Sequence, residues 1–182
     1  MVSNLYALIV AGGLGVRMNY SLPKQFIPIK NLPVAMHTIN AFNKANALVK
    51  IVFVLHIDYI QLWKELCHKY SFIIPHEVIS GGKTRTESVS NGLSVLPDDG
   101  FVAIHDAVRP LVSESIINNS FYYASKFGNA VSAIHLKDSI RQIQGENNFS
   151  INRNDYRIIQ TPQTFELKQI KTALISVFYK EN

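Results

Sequence analysis

Apolar positions along the chain follow two rhythms. Leu5 to Val10, Lys50 to His56 and Phe101 to His105 are short, nearly unbroken apolar runs rich in β-branched or aromatic residues. That is the pattern of parallel strands covered on both faces. A shorter run, Glu77 to Ser80, falls between the second and third. Between the runs, three- and four-residue spacing takes over. Trp63, Leu66, Cys67 and Tyr70 follow Ile60 at helical steps, which predicts one buried stripe behind an Asp58 cap and assigns Trp63 and Cys67 to the core. Thr86 to Leu96, with Val89, Leu93 and Leu96 on one face, and Ser113 to Phe127, stopped by Gly128, predict two more helices. A last helix spans Leu167 to Tyr179, with Leu167, Ile170, Leu174, Val177 and Phe178 on its apolar face.

Strand and helix therefore alternate, which predicts an α/β fold: a Rossmann-like, mostly parallel twisted sheet with helices on both faces. Ligands of such sheets sit at the carboxyl ends of the strands. The two most unusual loops, Ala11 to Pro33 and His105 to Pro110, both follow predicted strands and open on that edge. After Ala130 to Leu136 the rhythm changes to the short alternating runs Ser139 to Gln144 and Phe149 to Ile151, separated by Gly-Glu-Asn-Asn. This predicts a projecting β-hairpin arm within 137–158. Its few apolar positions leave two readings, packing on another chain or folding back on its own domain.

The length of 182 residues suits one domain spanning 1–182. A hydrophobic fraction of 47% with 17% charged residues excludes a disordered chain. The net charge of +5 permits an anionic ligand. The 18 Lys and Arg form no dense run and carry no interleaved aromatic signature, which argues against nucleic acid. Cys67 is the only cysteine, so neither an internal disulfide nor a cysteine zinc site can form. The N-terminus has no charged leader pattern and no apolar run approaches the roughly 20 residues of a membrane span, so a cytoplasmic protein without a membrane partner is expected.

Chemistry concentrates in the glycine loop, Ala11-Gly-Gly-Leu-Gly-Val-Arg-Met18, and in Leu22-Pro-Lys-Gln-Phe26. No Gly-Lys-Ser/Thr follows Gly12, so this is not a phosphate loop of the Walker type, and Gly13-x-Gly15 runs on to Met18 with no helix before Pro33, so it is not the dinucleotide fingerprint. A loop of that length in a compact domain is usually functional or disordered, and here the composition favours function. Closely spaced glycines let backbone N–H groups approach an anion, and Arg17 and Lys24 add fixed positive charge. The residues alone fit equally a surface turn carrying two solvated cations.

Taken with Gly81-Gly-Lys-Thr-Arg-Thr-Glu-Ser-Val-Ser-Asn-Gly-Leu93, His105-Asp-Ala-Val-Arg-Pro110 and Gln160-Thr-Pro-Gln-Thr-Phe165, these stretches resemble the sugar-phosphate nucleotidyltransferases and, among them, the cytidylyltransferases. The resemblance runs from Leu5 to about Phe178. Arg85 to Leu93 is closer to the 2-C-methyl-D-erythritol 4-phosphate enzymes than to the ribitol-5-phosphate enzymes, which remain the alternative.

The resemblance implies a homodimer, joined through the arm, that uses CTP, a sugar-alcohol phosphate and Mg²⁺. It assigns transition-state stabilisation to Arg17 and Lys24, and nucleotide binding to Ala11, Gly12, Gly13, Gly15, Gly81, Gly82 and Ser88. It also implies that Asp106 stands near metal and substrate, that Arg109, Ser139 and Thr161 surround the acceptor, and that Arg153 reaches the partner subunit's site. Without it, Ser88 is a polar helix residue, Asp106 a solvated helix cap and Arg153 a surface charge. His105 is expected to be structural, and Gly92 inside a helix, costing about 1 kcal/mol against Ala, to mark close packing. The family's C-terminal Asn-Ile-Lys-Val-Thr motif, whose lysine joins the substrate site, does not occur up to Asn182, which leaves two readings: a chain that is incomplete as given, or a compromised form expected to be a non-catalytic nucleotide-binding module.

Overall fold

The computed structural model describes residues 4–11 and 22–178. The chain runs through β1 (Leu5–Ala11), a 3₁₀ turn at Lys24–Phe26, β2 (Pro28–Ile29), β3 (Leu32–Pro33), α1 (Val34–Ala45), β4 (Lys50–Leu55) and α2 (Ile60–Lys69). It continues with β5 (Glu77–Ser80), α3 (Arg85–Ser94), β6 (Phe101–Asp106), α4 (Glu114–Phe127), β7 (Asn129–His135), the hairpin β8 (Arg141–Gln144) and β9 (Asn147–Ser150), β10 (Arg157–Glu166) and α5 (Leu167–Phe178).

Six strands form one sheet in the order β5-β4-β1-β6-β10-β7. The first four are parallel, as the apolar runs predict, and β10 lies antiparallel between β6 and β7. After β1 the chain builds outward through β4 and β5, then crosses back through α3 to β6 on the other side of β1. A crevice opens where the direction reverses, outside the carboxyl ends of β1, β4 and β6.

Alternation along β1 divides the core. Ala7, Ile9 and Ala11 face a cluster with Met36, Ile39 and Phe42 of α1, Trp63 of α2, and Ile117 and Phe121 of α4. Tyr6, Leu8 and Val10 face the other way, with Val89 and Leu93 of α3 and Leu167 of α5. Gly92 lies at the crossing: a Cβ there would stand 2.2 Å from Leu8 Cδ1 and 2.8 Å from Val54 Cγ2, so a side chain is excluded by the close approach of α3 to the sheet. Ser113 caps α4 by accepting from Ile116 N, and Gly128, at φ +84°, ends it.

Two expectations change, and one strand was not foreseen. Asp58 does not cap α2; it lies in a preceding 3₁₀ turn, where its N–H donates to the His56 ring, and the capping Tyr59 makes no side-chain bond. The Ala11 to Pro33 stretch is less irregular than its sequence, since it contains the Lys24–Phe26 turn and the β2/β3 ribbon. And β10 carries few of the signals of a strand. The side chains of Val177 and Phe178 and all of Tyr179 lie outside the described part of α5.

The arm forms as expected. β8 and β9 pair across Gly145 and Glu146, with Gly145 at the positive φ, +60°, that a two-residue hairpin turn demands. Both strands are exposed along their length, including Ile143 and Phe149. No helix among the described residues is long and apolar enough to cross a membrane.

Candidate functional site

At the crevice, the ends of β1 and β6, the Lys24–Phe26 turn and the start of α3 enclose a cavity of about 260 Å³. Ala11, Lys24, Lys83, Arg85, Ser88 and Asp106 line it. Three cations and one carboxylate therefore face a single small space, an arrangement that favours an anionic occupant.

Each wall is held from behind. Lys24 is exposed, but its neighbours are not: Phe26 packs against Tyr59 and Trp63, and buried Gln25 donates from Nε2 to the carbonyl of Ala11 at 3.2 Å. The ammonium is thereby presented beside the end of β1. Gly12, Gly13, Gly15, Arg17 and Met18 lie outside the described residues.

On the opposite wall, Thr84 caps α3 by accepting from Glu87 N at 3.1 Å, while the Glu87 carboxylate accepts from Lys83 N at 2.7 Å. Ser88 is buried. Its hydroxyl accepts from Gly82 N at 3.1 Å and donates to Thr84 O at 2.9 Å, so its main bonds fix the Gly81–Gly82 turn. A Cβ on Gly82 would meet Glu87 Cβ at 2.3 Å, and one on Gly81 the Ser88 hydroxyl at 2.9 Å. The two glycines thus allow this loop to lie flat on the helix start. Lys83 and Arg85 flank the cap, at the end of a helix where the macrodipole disfavours cations.

Asp106 stands on the ridge between this cavity and a larger neighbour. Its Oδ1 lies 2.8 Å from Arg85 Nη1, and its Oδ2 accepts from Arg109 Nε at 2.9 Å. Arg109 also donates to Gln160 Oε1, and Thr161 Oγ1 accepts from Asp106 N at 3.4 Å. His105 is structural, as expected: it is fully buried against Phe42 and hydrogen-bonds the Arg109 carbonyl through Nε2 at 3.1 Å. Burial above all holds its pKa down, to about 4, so the ring is neutral with its proton on Nε2. Its Nδ1 has no partner among the described residues.

The larger hollow, about 570 Å³, has Arg109, Gln160 and Thr161 at its rim, but its walls are Leu111, Ile116, Tyr123, Val131 and Ile134. Size does not make it the chemical centre, because the charged groups converge on the smaller cavity. Ser139 and Arg153 are exposed and line neither space; Arg153 donates to the Lys137 carbonyl at the base of the arm. The structure thus brings together Ala11, Lys24, Ser88 and Asp106, with Arg109 and Thr161 adjoining them. Lys83, Arg85 and Gln25 carried no assignment in the sequence, although two cations flanking a helix cap were a readable signal.

Among the described residues no group of three or more His, Cys, Asp or Glu is placed to hold a metal. The donor set is one carboxylate. That fits Mg²⁺, which binds through one or two carboxylates plus substrate phosphates and retained waters, and does not fit a metal needing an all-protein cage.

Comparison with known proteins identifies the family. The family model described as IspD, 2-C-methyl-D-erythritol 4-phosphate cytidylyltransferase, matches residues 5–180. A protein of that name from Porphyromonas gingivalis is 44% identical over 173 residues, covering 95% of this chain and 77% of the relative. Another, from Azobacteroides pseudotrichonymphae, is 44% identical over 160 residues, covering 88% and 72%. The crystal structure of 4-diphosphocytidyl-2C-methyl-D-erythritol synthase from Anaerococcus prevotii superposes with a TM-score of 0.83 at 26% identity, covering 96% of this chain and 75% of that one. The Francisella tularensis 2-C-methyl-D-erythritol 4-phosphate cytidylyltransferase gives 0.79 at 26%, covering 98% and 80%. With nearly the whole length matched in sequence and fold, the chain belongs to the 2-C-methyl-D-erythritol 4-phosphate cytidylyltransferase family.

Proposed function

We propose that the protein transfers CMP from CTP to 2-C-methyl-D-erythritol 4-phosphate and releases pyrophosphate, a step of isoprenoid precursor synthesis by the non-mevalonate route. The observation that carries this reading is the convergence of Lys24, Lys83, Arg85 and Asp106 on one cavity at the sheet's switch point, in a chain of this family. A phosphate oxygen of the acceptor attacks the α-phosphorus of CTP, the bond from that phosphorus to the β-phosphate oxygen breaks, and pyrophosphate leaves with the electron pair. A phosphate monoester has its second pKa near about 6, so the nucleophile is already an anion at neutral pH and no general base is required.

What remains is to hold two anions together and stabilise the charge that develops in line. Lys24 supplies a compact cation beside the β1 terminus, and the family resemblance gives Arg17 the same task. The backbone at Ala11, the Gly81–Gly82 turn fixed by Ser88, and the loop glycines receive the nucleotide. Asp106, Arg109, Ser139 and Thr161 receive the acceptor. Asp106, together with the substrate phosphates, would hold Mg²⁺, which would supply further charge neutralisation on the phosphate oxygens.

The working unit is a homodimer of single-domain chains (1–182) in the cytoplasm, with neither nucleic acid nor membrane as partner. The exposed arm at 137–158 and the apolar groove formed by Leu111, Ile116, Tyr123 and Val131 support the dimer. Arg153, at the base of the arm, serves the partner subunit's acceptor site. Pyrophosphate release with CTP and either 2-C-methyl-D-erythritol 4-phosphate or ribitol 5-phosphate tests the assignment: preference for ribitol 5-phosphate overturns the acceptor, and no turnover of CTP with either overturns the activity.

A further inference from the structure

We propose that Arg85 grips the nucleotide's phosphates and that its ion pair with Asp106 is a latch which nucleotide binding opens; this deepens the cytidylyltransferase reading and rests on it. The argument begins with an asymmetry between two arginines that share one carboxylate. Arg109 is tied twice, from Nε to Asp106 Oδ2 and from Nη1 to Gln160. Arg85 makes a single polar side-chain contact among the described residues, the 2.8 Å approach of Nη1 to Oδ1, and its side chain is 49% exposed. An ion pair that open is weak and easily exchanged. Arg85 is therefore the guanidinium that can leave.

Its destination follows from position. Arg85 opens α3, and its backbone is fixed by the Thr84 cap and the Glu87 and Ser88 bonds that hold the preceding loop. From there the side chain lines the same cavity as Lys24 on the facing wall. A planar fork with five N–H donors suits two phosphate oxygens at once, which a lone carboxylate oxygen does not use. A triphosphate entering between Lys24, Lys83 and Arg85 offers the guanidinium a stronger acceptor than Oδ1.

The exchange has a consequence at Asp106. A carboxylate beside phosphates is repelled by them unless a cation covers it, and in the resting site Arg85 and Arg109 cover both oxygens. When Arg85 turns to phosphate, Oδ1 is released toward the cavity, where it can bind a cation or accept from an acceptor hydroxyl. Arrival of one reactant thus prepares the group that meets the other.

Calorimetric titration of the full chain with CTP, alone and with Mg²⁺, tests this in wild type, R85K, R85Q, D106N and the R85Q/D106N double variant. R85Q should weaken CTP binding about tenfold, the loss expected for one charge-assisted hydrogen bond, with an unchanged unfolding temperature, and R85K should recover part of it. D106N should tighten CTP binding severalfold more when Arg85 is present to be released than in the R85Q background, where the latch is already gone and only the carboxylate–phosphate repulsion is relieved. If R85Q binds CTP as tightly as wild type, or D106N acts equally in both backgrounds, the latch is refuted while the activity stands. If R85Q does not fold, R85K decides: CTP affinity equal to wild type refutes the grip. Failure of wild type to bind CTP overturns both the latch and the activity beneath it.

Discussion

Acid should weaken this fold through one buried ring, and the size of the effect follows from where that ring sits. His105 is completely buried at the end of β6, with Nε2–H donating to the Arg109 carbonyl, Phe42 packed against it in a T-shaped contact, and Nδ1 unpartnered among the described residues. Burial is the main cause that lowers its pKa from 6.5 to about 4; the Arg109 carbonyl and Asp106 oppose the shift, and Arg109 and Arg85 add to it. The unfolded chain therefore takes up this proton as pH falls through 6.5, and the native fold does not until about 4. Stability from this ring is fully present above 6.5 and is lost on the way down, by ~2 kcal/mol at about pH 5 and about 3 kcal/mol once both states are protonated. Urea unfolding followed by circular dichroism, at pH values from about 7.5 to 4.5, measures it. H105Q keeps an N–H toward the Arg109 carbonyl but does not titrate, so its stability should fall less steeply by that amount. Parallel loss of stability in wild type and H105Q would show that the ring accepts its proton readily and that burial does not govern it.

Three further outcomes follow. K24A should lower kcat/KM for pyrophosphate release by about a hundredfold or more while leaving thermal unfolding unchanged, because an exposed cation aimed at developing charge contributes to the transition state and not to packing; unchanged turnover would remove Lys24 from the chemistry. Q25L should destabilise the fold by about 1–3 kcal/mol in denaturant titrations, since it leaves the Ala11 carbonyl without the donor it has at 3.2 Å, and should raise KM as the Lys24 turn loosens. Trp63, the only tryptophan, donates from Nε1 to His76 Nε2 at 2.9 Å, and burial lowers the His76 pKa despite its bond to Ile74 O. Tryptophan emission should therefore stay constant down through pH 6.5, change only below it, and show no such step in H76F; a midpoint at or above 6.5 would contradict the buried assignment.

How far this architecture could be read from sequence depended on whether burial left a local mark. β1, β4 and β6 are covered on both faces, so their apolar runs gave them away to within a residue or so. Asp58 looked like a cap because its type is right, but the His56 ring already occupies the turn. β10 has Gln160, Thr161, Pro162, Gln163 and Thr164 at its heart and is half exposed; it is a strand because β6 and β7 flank it, which no local window contains. Ser88 drew notice only through the family resemblance, and its burial and bonds to Gly82 and Thr84 show that it shapes the loop. Arg85 and Lys83 carried no assignment in the sequence, because only the packing of α3 over β1 and β4 brings the first residue of that helix to Asp106 at the end of β6.

The same contrast explains how flexible cations can act in a reaction that depends on placement. Lysine and arginine side chains lose much conformational freedom when fixed, so a site made of them gains little unless their backbones are already rigid. Here each charged residue follows or precedes an anchored one. Lys24 is beside buried Gln25 and Phe26, Arg85 beside the capping Thr84, and Arg109 has its own carbonyl held by His105. Thr38 of α1, fully buried, adds a hydroxyl bond at 2.7 Å to the Ala107 carbonyl and so fixes the loop that carries Arg109. The side chains stay free to exchange partners while their origins cannot drift, which is what a site must provide if one guanidinium is to pass from a carboxylate to a phosphate without disturbing the other.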